Sequence, residues 1–109
     1  MKTDRIYITH ILECIDNINS YVQEEKDFLS SRLIQDAVIR NLEVIGEAIN
    51  KGSKDLRERE KLVPWSEMAG LRDVLIHNYF GVDLSIVWKV VENELPKIKP
   101  ELQKIKANL

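Results

Sequence analysis

Residues 72–79 combine three side chains that could act together on a phosphodiester. The stretch reads Arg-Asp-Val-Leu-Ile-His-Asn-Tyr and places Arg72, His77 and Tyr79 within about two helical turns. Histidine is the side chain that most readily accepts and donates a proton near neutrality. The guanidinium of arginine offers a planar fork of donors that matches phosphate oxygens. A base beside a phosphate clamp is what cleavage of a phosphodiester without a metal ion requires.

The spacing of these residues leaves three arrangements open. Arg72 and His77 are five apart, so they point about 140° away from each other on an ideal helix. They could still meet at one phosphate if the helix ended near His77, if the long arginine wrapped around it, or if two copies met across a two-fold axis. Asp73 lies four residues before His77, so its carboxylate could hold the imidazole in one orientation. Tyr79 lies nearly on the face of Arg72, so its phenol could hydrogen-bond the same phosphate.

Structural roles compete with this interpretation, and spacing alone favours them. Arg72 could form only a surface ion pair, worth at most about 1 kcal/mol. His77 could be a half-buried packing residue, and Tyr79 a core aromatic with a solvated hydroxyl. His10 is interpreted as structural, and both tryptophans as core anchors. Four charged residues step along the second predicted helix and are most simply i,i+3 and i,i+4 pairs, although either glutamate could line a cleft: Asp36, Arg40, Glu43 and Glu47.

Composition predicts one domain over residues 1–109 that is not held to RNA by overall charge. The net charge is −2, whereas a protein that binds nucleic acid mainly through its backbone is expected to be basic. No apolar run is long enough to span a bilayer, and no signal-peptide core follows Met1. The single Cys14 favours a reducing cytoplasm, and no metal-ligand spacing is present. The last stretch is locally basic and could be a phosphate-facing strip or a solvated helix face, with Glu101 opposing Lys97, Lys99, Lys104 and Lys106.

Helical periodicity dominates the chain, and no segment alternates convincingly with the period of a strand. We therefore predict an all-α, up-and-down bundle of four to five helices. The mid-helix Gly46 indicates close approach of another helix, because glycine there costs about 1 kcal/mol relative to alanine. The predicted helices span 4–26, 31–51, 64 to about 80, 83–95 and about 98–109.

Residues at the ends of these segments supply the expected caps and stops. Asp4 is predicted to cap the first helix, and Ser30 or Ser31 the second, which Gly52 stops. A fourth helix is capped by Asp83. Asp27 and Phe28 are expected to break the first helix, and Pro96 to kink or end the fourth.

The chain resembles the HepT-like toxins of the HEPN superfamily of small helical ribonucleases. Arg72-x-x-x-x-His77-x-Tyr79 matches the family signature RxxxxHxY, and the segment 44–48, Val-Ile-Gly-Glu-Ala, is similar to a second family segment. The similarity extends to other short segments in the expected order, so it covers nearly the whole chain: Pro64-Trp65, residues 79–83, Val87-Trp88 and Leu95-Pro96.

This resemblance implies a homodimer whose motifs face each other, acting as a metal-independent endoribonuclease without a cofactor. It implies that Arg72 and His77 are catalytic, that Asp73 supports them, and that the chain is the toxin of a toxin–antitoxin pair. The implied antitoxin is a small MNT-type nucleotidyltransferase that neutralises the toxin by adding AMP to Tyr79. The family commonly has asparagine after the motif arginine, and Asp73 departs from that pattern. Two alternatives stay open: a non-catalytic nucleotide- or substrate-binding subunit of such a nucleotidyltransferase, and a plain dimerising bundle.

Overall fold

The computed structural model describes residues 2–77 and 83–109, with residues 2, 72–74, 76 and 77 described by their backbone alone. Every regular element in these ranges is helical, so the all-α class is confirmed. Helix α6 runs without interruption through a π-helical segment, Val90–Glu94, into α7. The helices are α1 (Lys2–Tyr21), α2 (Glu25–Leu29), α3 (Arg32–Lys51), α4 (Lys54–Arg59), α5 (Trp65–His77), α6 (Leu84–Lys89) and α7 (Leu95–Ala107).

Helix α3 is the centre of the fold, because it packs against both α1 and α5. Its ends are those predicted: the hydroxyl of Ser31 accepts a hydrogen bond from the Ile34 amide at 3.2 Å, and Gly52 follows the last turn. Gly46 is buried in this helix, in keeping with the close approach of a neighbour that its position indicates. Helix α1 packs in turn on α7, which closes the core on its other side.

Asp4 does not cap α1 as predicted, because α1 already begins at Lys2. The carboxylate is buried, with 2% of the residue exposed, and it accepts hydrogen bonds from the Ser53 amide at 3.1 Å and the Ser53 hydroxyl at 2.8 Å. Ser53 in turn caps α4 by accepting a hydrogen bond from the Leu56 amide. Asp4 therefore fixes the start of a different helix, across 49 residues of sequence.

Asp27 and Phe28 do not simply break a helix, because they belong to the short helix α2. Asp27 completes a capping box with Glu24, whose amide donates to the Asp27 carboxylate at 3.2 Å. Phe28 is fully buried and stacks on Trp88 of α6, with ring centroids 5.7 Å apart. This contact confirms Trp88 as a core anchor and holds α2 against α6.

Pro96 neither kinks nor ends the fourth predicted helix. In the π-helical segment the amide of Leu95 donates to the Val90 carbonyl, five residues earlier. Pro96 then occupies the first turn of α7, where a residue without an amide proton is tolerated. The fourth and fifth predicted helices are thus one continuous helix from residue 84 to residue 107.

Counted this way, the described residues contain six helices rather than the four to five predicted. The difference lies in α2 and α4, which have five and six residues and are too short to show a helical period. Within the same residues, no helix is both long and apolar enough to cross a membrane.

Candidate active site

Helix α5 carries the motif residues, and two contacts fix where it starts. The Trp65 indole is buried, and its N–H donates to the Glu60 carbonyl at 2.7 Å. The amide of Met68 donates to the Pro64 carbonyl at 3.1 Å, which closes the first turn. Trp65 is therefore a core anchor, as predicted, and the helix begins at a rigid corner.

One side of α5 packs into the core. Leu75 is buried, and Met68 and Leu71 are partly buried against the core. Arg72 lies four residues after Met68 and three before Leu75, so its backbone position falls on this packed side.

The opposite side of α5 is open in the single chain. Ser66 and Gly70 are exposed, and a Cβ built on Gly70 meets no other atom within 4 Å. Asp73 and His77 follow Gly70 by three and seven residues, so their backbone positions fall on the same side. We call these four positions the open face of α5.

The backbone is helical at every residue from Arg72 to His77, so the angle of about 140° between the two positions holds in the fold. The two therefore lie on different sides of one helix. The side chains of Arg72, Asp73 and His77 fall outside the described part of the structure, as does all of Tyr79. Their predicted roles and contacts accordingly stay predictions.

Asp83 caps the helix that follows the motif, as predicted. Its carboxylate accepts hydrogen bonds from the Ser85 amide at 2.9 Å and the Ser85 hydroxyl at 2.7 Å. These hydrogen bonds lower the pKa of Asp83. The chain beyond the motif is thereby set at the start of α6.

The charged residues of α3 form the short-range pairs predicted from their spacing. Glu43 accepts from Arg40 at 3.3 Å and is largely shielded, with 16% of its side chain exposed. Glu47 pairs with Lys51 at 3.2 Å, and Asp36 with Arg32 at 4.0 Å. Away from these, His10 is exposed on α1.

Cys14 is a buried member of the core of α1. Burial raises the pKa of the thiol, and the nearby Glu13 carboxylate adds to this effect. The thiol is therefore held in its neutral form, which is typical of a packing residue rather than a nucleophile.

A polar groove of about 440 Å³ lies where the corner before α5 meets α4. The sequence interpretation did not single it out. Three cationic side chains contribute to its lining, and the spacing 54, 57, 61 was the available signal, since residues three and seven apart share a helix face. The groove is lined by Lys54, Arg57, Glu58, Lys61, Val63, Pro64, Trp65, Ser66 and Glu67.

The all-α fold with its motif on α5 belongs to a recognised class. Residues 11–105 match the family model described as Ribonuclease HepT-like. The chain is therefore a member of the HepT-like ribonuclease family, which confirms the resemblance seen in the motifs.

Curated relatives carry names that agree with this family. A Methanocaldococcus jannaschii protein named "Gamma-glutamylcyclotransferase and putative RNase" is 47% identical over 110 residues, covering 99% of this chain but only 50% of the relative, so this chain spans about half of its length. A "Putative RNase" of the same organism is 45% identical and covers 93% of the chain and 85% of its own length. The "Probable ribonuclease HepT" of Thermococcus cleftensis is 39% identical and covers 96% and 97%. No solved structure matches the chain.

Proposed function

We propose that this protein is a metal-independent endoribonuclease and the toxin of a toxin–antitoxin pair. The observation that carries the proposal is the family match over residues 11–105, which includes the whole of α5 and the motif. The names of the relatives support a ribonuclease. The reaction, the partners and the roles of individual residues are our proposal.

The proposed reaction is an internal transesterification of RNA. The 2′-hydroxyl attacks the adjacent phosphorus, and its proton passes to the imidazole of one His77. The bond from phosphorus to the 5′ oxygen breaks, and the imidazolium of a second His77 protonates that oxygen. The products are a 2′,3′-cyclic phosphate and a 5′-hydroxyl, while Arg72 stabilises the negative charge of the transition state. Asp73, four residues before His77, supports the orientation of the ring.

Two histidines at one phosphate require two chains, because each chain has one histidine in the motif. The open face of α5 supports a homodimer: Ser66 is small and exposed, and the space around Gly70 would admit a second helix. A two-fold axis beside this face would bring both His77 positions to one cleft. Each Arg72 would reach the cleft from the packed side of its own helix, which a long and flexible side chain allows.

Neutralisation by an MNT-type nucleotidyltransferase completes the proposal. The phenolic oxygen of Tyr79 attacks the α-phosphorus of a nucleoside triphosphate, pyrophosphate leaves, and AMP remains on the tyrosine. The added phosphate is anionic and the added base is bulky. Both would oppose entry of RNA beside Arg72, without any change of fold.

Cleavage of end-labelled cellular RNA in the presence of a chelator tests the nuclease. Wild type should yield cyclic-phosphate ends, and His77→Ala should lose activity by about 10²- to 10⁴-fold while its helical content stays the same. Full activity in the variant would overturn the assignment of His77. Absence of cleavage by a wild-type protein shown to carry no AMP would favour the non-catalytic binding subunit.

Incubation with the cognate nucleotidyltransferase and ATP tests the modification site. Mass spectrometry should find AMP on wild type and none on Tyr79→Phe, because phenylalanine has no attacking oxygen. A variant that still acquires AMP would show that the acceptor is another residue.

A further inference from the structure

The groove between α4 and the corner before α5 contains cations that make no ion pair. Lys54, Arg57 and Lys61 each line it, and within the described residues none of them lies within 4.0 Å of a carboxylate. Arg59 of the same helix differs, since its guanidinium contacts Asp55 at 3.0 Å. The two arginines of α4 therefore have different surroundings: one is satisfied within the protein, and the other faces the groove.

The groove is held in place by buried contacts rather than by its own charged residues. Ser53 at the start of α4 is hydrogen-bonded to the buried carboxylate of Asp4. Leu56 and Val63 are buried, and the Trp65 indole donates to the Glu60 carbonyl. Both walls are thus fixed before any ligand binds, which lowers the cost of ordering on binding.

The groove opens onto the open face of α5. Ser66 is exposed and belongs to both, and the next position on that face is Gly70, where a Cβ meets nothing within 4 Å. The face continues to the backbone position of His77, eleven residues after Ser66, which is a rise of about 17 Å along the helix. A few nucleotides of single-stranded RNA span that distance.

We propose that this groove binds the phosphate backbone of the RNA substrate at a distance from the scissile bond, with Lys54, Arg57 and Lys61 as the phosphate-binding residues. The inference rests on the proposed function. It accounts for an acidic protein that acts on RNA, because the positive charge is local: three cations against the two carboxylates of Glu58 and Glu67.

The chemistry of the groove favours RNA over an acidic protein partner. Protein interfaces depend on exposed aromatic or aliphatic anchors, but Val63 and Trp65 of this groove are buried. The Trp65 N–H is already used by Glu60, so the groove offers neither a stacking platform nor an aromatic donor for a base. Recognition is therefore of phosphates and independent of base sequence.

Binding of a fluorescent, fully 2′-O-methylated oligouridine of about 12 nucleotides tests the proposal. The methyl groups block attack by the 2′-oxygen, so binding is measured without cleavage. Arg57→Gln should weaken binding about five- to tenfold at low salt, and should reduce the slope of log Kd against log salt by about 0.7, the value for one phosphate contact on a single strand. Arg59→Gln is the matched control and should stay within about twofold of wild type.

Several outcomes would overturn the proposal. Equal losses for Arg57→Gln and Arg59→Gln would indicate diffuse charge rather than a groove. An unchanged Kd for Arg57→Gln, in a protein that cleaves cellular RNA, would remove the groove and leave the nuclease intact. Arginine-dependent binding by a wild type that cleaves nothing would support the groove and refute the nuclease. Equally tight, Arg57-dependent binding of oligoglutamate would assign the groove to an acidic protein.

Discussion

Two regions of this molecule are basic, and they use their charge differently. In α7 and its neighbour α1, Lys99 contacts Asp16 at 2.8 Å and Lys104 contacts Glu101 at 3.5 Å. In the groove before α5, the cations that line it contact no carboxylate within the described residues. The region that looks more basic in sequence is therefore the one whose charge is more fully neutralised in the fold. Local net charge along a chain does not measure the charge available to a ligand.

The comparison would be broken by a variant that removes charge from each region in turn. Replacing Lys54, Arg57 and Lys61 by glutamine should weaken RNA binding by about 30- to 100-fold at low salt, because three phosphate contacts are lost. Replacing Lys97, Lys99 and Lys104 by glutamine removes the same charge and should cost less than about threefold. Anisotropy titrations at two salt concentrations measure both.

Equal losses in the two triple variants would show that RNA binding follows net charge and not position. Thermal unfolding of each variant is the control, since a loss of affinity counts only where the helical content and the melting temperature are preserved.

A second variant tests whether the groove depends on its buried support. Asp4→Ala removes the acceptor of both Ser53 hydrogen bonds and should lower the free energy of unfolding by about 1–3 kcal/mol. It should also weaken RNA binding, because α4 loses its anchor. Urea denaturation and the same titrations measure the two effects. RNA affinity unchanged in a clearly destabilised Asp4→Ala would show that the position of α4 does not matter for binding.

The smallest expected effect concerns the neutralised region. Asp16→Asn removes the carboxylate partner of Lys99, whose side chain is 34% exposed, and should lower the free energy of unfolding by less than about 1 kcal/mol. RNA binding should tighten by no more than about twofold, through the change in net charge. A tightening of tenfold would mean that the released Lys99 reaches RNA, and that α7 is a second binding surface.

Local sequence signals predicted the parts of the fold that depend on neighbouring residues. Ser31 and Gly52 bound α3, and Asp83 caps α6, because capping acts within one turn. Asp4 was assigned wrongly for the opposite reason: its partner Ser53 is 49 residues away. Phe28 looked like a break in a period and is instead a buried ring stacked on Trp88. Contacts of that range are not visible in a pattern.

The same limit applies to the candidate site. Helical period placed Arg72 and His77 about 140° apart, and the described backbone of α5 agrees. Periodicity did not reveal which side of α5 packs, since that depends on where α3 lies. Nor did it reveal the groove, because Arg57 and Arg59 differ only in what surrounds them.

The π-helical segment Val90–Glu94 sets the rotation of everything that follows it. Its hydrogen bond spans five residues instead of four, so it accommodates one residue more than an α-helical turn. Deleting one residue from the segment would restore the α-helix and turn α7 by about 100°. Leu102 and Ile105 would then leave the core that they now enter, and Lys99 would turn away from Asp16. A single residue thus acts as the phase of the last helix, and insertions or deletions there should be tolerated far less than in an ordinary helical surface.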